Sequence, residues 1–226
     1  MNRKLLTAVA LAAGPLLAAG FAPTASATTT DALEIMSGGL TATIADNGTC
    51  VGTGCAGLIG DLNPAAGTDT ISGSINGWTL NIASGTSHSP GLTPFGLDIT
   101  SLTASCSIAG GCTGADNLHI IYSDINFAAA VAAGGFTTTY SATITGTGTT
   151  SESAFADNTN TLFGEPVAGL IGTVGPFGAP GGFGTKSGGP AGIPTYSLTL
   201  DQVFSGSDSS SFSVDGNIRT CPNRRR

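Results

Sequence analysis

Apolar and polar residues alternate along most of this chain. Leu40, Ala42 and Ile44 recur at every second position, as do Trp78, Leu80 and Ile82, then Leu118, Ile120 and Tyr122. A longer run follows at Phe136, Thr138, Tyr140, Ala142 and Ile144, and the pattern returns at Tyr196, Leu198 and Leu200 and at Phe212, Val214 and Ile218. Spacing by two puts each set on one side of a pleated strand and sends the intervening Thr, Ser and Asn to the other. Turn dipeptides punctuate the runs: Asn47-Gly48, Asn76-Gly77, Gly110-Gly111, Gly134-Gly135 and Asp215-Gly216. Asn76-Gly77, set between DTISGSI and WTLNIAS, predicts a two-residue hairpin. Helix signals are confined to Phe127 to Ala133 (FAAAVAA), enough for one short turn, and the 35 glycines and many Ser and Thr residues disfavour helix elsewhere.

Short strands of this kind, without crossover helices, predict an all-β fold. It is an antiparallel β-sandwich or jelly roll, because each one-sided sheet must cover its apolar face with another. Residues 28–218 form one expected domain, a size at which β-sandwiches are commonly undivided. Within it, Gly175 to Ile193 (GPFGAPGGFGTKSGGPAGI) has no strand period and is expected to be a Gly/Pro-rich surface loop or lid.

The first 27 residues read as a signal peptide. Arg3 and Lys4 precede an apolar stretch from Leu5 to Ala22, and Ala25-Ser26-Ala27 has the small residues of a cleavage site. The alternative, a membrane anchor, is opposed by Gly14-Pro15 in the apolar run. No later segment is apolar enough to cross a bilayer. Residues 219–226 form a basic tail ending in Arg224-Arg225-Arg226, expected to be solvated and frayed.

Charge removes whole classes of function. Between Leu5 and Ile218 the one side chain that is always cationic is Lys186, and the same stretch holds all fourteen acids. After cleavage, fourteen acids face five bases, a formal charge of −9. A nucleic-acid partner needs clustered Lys and Arg, so none is expected. An acidic surface favours divalent cations instead.

Five cysteines fall as Cys50-x4-Cys55, Cys106-x5-Cys112 and a lone Cys221. In an oxidising compartment they predict two local disulfides, 50–55 and 106–112, with a cross-link between the two pairs still open. A four-thiolate zinc site is the rival, but it usually has C-x2-C spacing. Cys221 is read as a free thiol or an intermolecular partner.

Several of these elements occur together in a known pattern. Asp61-Leu62-Asn63-Pro64, Gly73 to Ile75, Gly77 to Ile82, Leu118 to Phe127 and Tyr196 to Leu200 resemble a group of secreted bacterial β-sandwich proteins of uncharacterised activity. The likeness would span most of residues 33–218. Many such proteins end in a PEP-CTERM-type sorting tail, of which this chain keeps the arginine cluster without the Pro-Glu-Pro motif or apolar helix. The resemblance implies fold and secretion, and no chemistry.

Candidate chemistry is sparse. Asp61, Asn63 and Asp69, preceded by Asp46-Asn47, lie in one turn-rich segment and are candidate calcium ligands; their alternative role is turn formation. No ordered D-x-D-x-D-G loop is present, and no other cofactor is expected. His88 and His119 are the available imidazoles, with no G-x-S-x-G elbow to serve. His119 falls on the strand face opposite Leu118 and Ile120, a solvated or half-covered position, and His88 falls in a loop. Trp78 sits in apolar register and is expected in the core rather than on a sugar platform. Ser123-Asp124 is a further acidic candidate, with a strand-end turn as its alternative role. Phe177 and Phe183 are either exposed apolar contacts or pins for the Gly/Pro loop.

The reading that follows is a secreted, non-catalytic structural or adhesive protein of the cell envelope or extracellular matrix. Self-association or an envelope partner would act through exposed strand edges and loops. The alternatives are a calcium- or carbohydrate-binding module and a secreted hydrolase using His88 or His119.

Overall fold

The computed structural model describes residues 30–87, 96–128, 135–190 and 195–221. The signal segment, His88 and Arg224 to Arg226 lie outside them. Twelve strands account for nearly all the regular structure: β1 (Asp31–Ser37), β2 (Leu40–Ala45), β3 (Thr68–Ile75), β4 (Trp78–Ser87), β5 (Gly96–Cys106), β6 (Leu118–Ala128), β7 (Phe136–Thr145), β8 (Gly148–Asp157), β9 (Leu170–Gly178), β10 (Gly181–Gly188), β11 (Thr195–Gly206) and β12 (Ser211–Thr220). They form two six-stranded antiparallel sheets, in the orders β2-β1-β6-β11-β8-β9 and β10-β7-β12-β5-β4-β3. The expected all-β sandwich is therefore the fold. Among the described residues no helix is long and apolar enough to cross a membrane.

The period-two residues face inward. Leu33, Ile35, Ile120, Leu198 and Leu200 from the first sheet meet Ile71, Ile82, Ile99, Leu102 and Ile218 from the second, all fully buried. Trp78 of β4 packs against Phe204 of β11 across the gap and Phe212 of β12 beside it, at ring separations of 6.5 and 5.9 Å. Its indole N–H donates to the Asp116 carbonyl at 2.8 Å, so burial leaves no polar atom stranded. Asn76-Gly77 forms the expected hairpin turn, with φ of 43° and 74° in the left-handed region that suits a tight primed turn.

Both lateral gaps between the sheets are covered. On one side, the segment joining β2 to β3 pairs with both rims. Val51 exchanges backbone hydrogen bonds with Thr43 of β2 (2.8 and 2.9 Å), while the Ile59 and Leu62 N–H groups donate to Ser72 and Thr70 of β3, each at 3.0 Å. The Cys50–Cys55 disulfide ties this strap together, and Cys106–Cys112 closes the loop after β5, so the two local pairings are the ones formed. On the other side, β9 and β10 are the arms of one hairpin, β9 bonded to β8 in the first sheet and β10 to β7 in the second.

Three expectations are corrected by this arrangement. Residues 175–188 are not a lid but the end of β9, a turn, and β10. Glycine hid the strand period and serves close approach: a Cβ on Gly188 would lie 2.5 Å from the Ile171 carbonyl oxygen. Asp215-Gly216 is not a turn but part of β12, paired without interruption to β7; the bulge lies opposite in β5, which advances from Leu102 to Ile99 while β12 advances from Val214 to Gly216. The rims of β2 and β3, expected to be open, are partly paired by the strap. Phe127 and Ala128 end strand β6, and the rest of the expected helical turn lies outside the described residues.

Replacing Trp78 by Ala should cost about 3–5 kcal/mol of stability in urea unfolding, because the cavity would open at the contact between sheets. The paired change Cys50→Ser with Cys55→Ser should cost roughly 2 kcal/mol, the entropy of one short closed loop.

Candidate functional site

Carboxylates gather where the strap meets the rims. Strand register supplies the first pair: Asp31 opens β1 opposite Asp124 of β6. Asp46 follows the end of β2, and its backbone N–H donates to the Asp31 carbonyl at 3.2 Å. Asp69 enters from β3 in the other sheet, and Asp61 from the strap. One oxygen each from Asp46, Asp61 and Asp69 lies within 4.8 Å of the others.

These acids are held unequally. Asp61 accepts from the backbone N–H groups of Asn63 (2.9 Å), Thr70 (2.8 Å) and Asn47 (3.0 Å). Asp46 accepts from the Gly67 N–H at 3.0 Å and the Asn47 side-chain amide at 2.9 Å. Asp31 accepts from the Tyr122 hydroxyl at 2.9 Å. Asp124 accepts from the Ser87 hydroxyl and from the Ile125 N–H. Asp69 is fully buried, and no backbone N–H, hydroxyl or amide donates to either of its oxygens. It faces Asp31, another carboxylate. Burial, then the negative charges of Asp31, Asp61 and Asp46, push the Asp69 carboxyl up to about 8. Burial likewise raises Asp31 to about 6 against the lowering effect of Tyr122, and raises Asp124.

Of the three residues singled out in the sequence, the fold brings Asp61 and Asp69 together. Asn63 turns its side-chain oxygen to the Ala65 N–H at 3.0 Å, the turn-forming role. Asp124 is not a strand-end turn but a buried residue within β6. Asp31 was not singled out at all. It stands 93 positions from Asp124, and only cross-strand register could have joined them.

Other polar groups lie apart. His119 contacts Asp201 on the neighbouring strand at 3.4 Å; that partner raises the imidazole pKa, with partial burial opposing. The position is half-covered, as expected. Glu152 of β8 is fully buried between the sheets, bonded to the Thr138 hydroxyl (2.8 Å) and the Gln202 amide (2.9 Å). A Cβ on Gly216 would stand 1.8 Å from its Oε2, so this glycine of β12 makes room for the acid. Burial, then the charges of Asp215 and Asp98, push Glu152 up to about 8 despite those two bonds.

The outer face of the second sheet carries an open groove of about 630 Å³. Its lining includes Ser101, Ser141, Thr143, Ser213 and Asp215. Phe183 on β10 stands at the groove with 69% of its surface exposed, whereas Phe177 turns inward and stacks on Tyr140 at 6.1 Å. The β5 backbone is irregular at this point, with Ser101 at a φ of 61°.

The chain matches no family model and no curated protein. Among solved structures it is similar to the enzymatically active domain of tailspike protein 4 of bacteriophage CBA120, at 14% identity and a TM-score of 0.32. That alignment covers 64% of this chain and 19% of the tailspike chain, a likeness too distant to carry an argument.

Glu152 gives a pH dependence with a definite sign. Its folded pKa of about 8 exceeds the ordinary 4.5, so the folded protein keeps a proton that the unfolded chain releases. The stability it contributes is complete below 4.5 and is lost as pH rises through 8. Thermal melts across this range should fall more steeply for the native chain than for Glu152→Gln, and above pH 8 the variant should be the more stable.

Proposed function

We propose that this is an exported, non-catalytic structural or adhesive protein of the cell envelope or extracellular matrix, acting through the outer face of its second sheet. The observation that carries the reading is the hydroxyl-lined groove with Phe183 exposed beside it. Hydroxyls offer adaptable hydrogen bonds, and an exposed aromatic ring supplies apolar contact at small entropic cost. The signal-like leader, the two disulfides and the resemblance to secreted β-sandwich proteins support export. The paired strap and the β9–β10 hairpin shift the adhesive surface from open strand rims to a sheet face.

A second reading, a cation-binding module, is favoured by the convergence of Asp46, Asp61 and Asp69. Its carbohydrate counterpart has less support, since Trp78, Tyr122, Tyr140 and Tyr196 are all buried and form no stacking platform.

Phe183→Ser should lower retention of the protein on envelope preparations and polysaccharide films about tenfold, roughly 1.4 kcal/mol of contact, with an unchanged circular-dichroism spectrum. Unchanged retention would remove the groove from the reading. Hydrolysis of any ester, peptide or glycoside substrate that disappears in His119→Ala would overturn the non-catalytic role.

A further inference from the structure

We propose that Asp31, Asp46, Asp61 and Asp69 form a calcium site that fastens the strap between β2 and β3 to the rims of both sheets. The inference rests on the cation-binding reading and gives it a location and a structural task.

Asp69 is the central observation. A buried polar group is normally hydrogen-bonded, and a buried carboxylate without a partner carries its full desolvation cost. Asp69 has no exposed surface, and the one group within hydrogen-bonding reach of its oxygens is another carboxyl, Asp31; it points toward three other acids instead of away from them. The positive side chains among the described residues stand elsewhere. Lys186 is on β10, at the far rim of the second sheet; Arg219 contacts Asp98 at 3.6 Å; His119 contacts Asp201. An arrangement of this kind calls for a cation from solution.

The donor set selects the cation. All the ligands are hard carboxylate oxygens, with no imidazole or thiolate among them, which disfavours zinc and copper. Calcium accepts six to eight oxygens in adaptable geometry, whereas magnesium demands a tight octahedron and keeps its water. The outer contacts are already set. Backbone N–H groups from Asn47, Asn63 and Thr70 orient Asp61, and Gly67 orients Asp46. Asp61 Oδ1 takes two of these bonds, so Oδ2, which takes one, keeps a lone pair for the ion, as do both Asp46 oxygens. The ligands come from three places: Asp31 from β1 and Asp46 from the end of β2 in the first sheet, Asp69 from β3 at the second sheet's rim, and Asp61 from the strap between them. One ion therefore cross-links what the Cys50–Cys55 bond, internal to the strap, cannot reach.

The test uses the full secreted chain, stripped with a chelator and melted at neutral pH with calcium chloride or magnesium chloride. At calcium about 100-fold above its Kd the melting temperature should rise by about 5–10 °C. Equimolar magnesium should do much less. Terbium should bind in calcium's place and luminesce on tyrosine excitation, since the Tyr122 hydroxyl is bonded to Asp31. Asp69→Asn should lose both responses while its metal-free melting temperature equals or exceeds that of the native chain. Asp61→Asn provides a second variant should the first fail to fold, and Glu152→Gln should keep the full response. No calcium shift in the native chain would overturn the cation-binding reading itself, leaving a proton shared between Asp31 and Asp69. A shift that persists undiminished in both aspartate variants would leave cation binding standing and overturn this site.

Discussion

The backbone ladders run only within each sheet, and a shared layer of apolar side chains forms most of the contact between the two. Hydrogen bonds run along each ladder, so adhesion between ladders comes from burying Trp78, Phe204, Phe212 and the aliphatic rows around them. Such a sandwich is strong across its faces and weak at its flanks, where water can enter between the layers. The chain meets that weakness in two ways. One flank is folded over by a glycine-rich hairpin that places one arm in each sheet. The other is laced by a strap that borrows hydrogen bonds from both rims. The carboxylates gather at this second flank, at the start of β1, the end of β2 and in β3.

The strands were legible wherever inward positions carry large side chains at every second residue, as in β4, β7 and β11. The reading failed in β9 and β10 because alternation needs side chains, and GGFGTKSG offers few. It failed at Asp215-Gly216 for a related reason: Asp-Gly is a turn signal only when nothing across the sheet keeps the strand going. Here β5 and β7 flank β12 on both sides, and the glycine is needed to admit Glu152. The local disulfides were legible from spacing. The acidic cluster was half legible, since Asp46, Asp61 and Asp69 are near neighbours in the chain, but Asp31 and Asp124 join them only through strand pairing.

The interior is less apolar than the alternation suggested. Glu152, Thr138 and Gln202 form a small polar network inside the sandwich, and Asp31, Asp69 and Asp124 form a larger one at its flank. The first is bonded at both carboxyl oxygens and keeps its proton readily, so it can sit in the core as a neutral acid. In the second the donors go to Asp31 and Asp124, and Asp69 is left facing carboxyls. Two buried acidic sites thus coexist in one small fold, one bonded at both oxygens of its acid and the other with Asp69 set among carboxyls.

The scarcity of bases has a consequence for proteolysis. Trypsin-like proteases cut after Lys or Arg, and between residues 30 and 221 they would find only Lys186 and Arg219. Both lie within ladder-bonded strands, β10 and β12, where the backbone must first be peeled from its neighbour to enter a protease cleft. The same scarcity of Lys and Arg therefore leaves trypsin-like proteases two cleavage positions among the described residues, both held in strands.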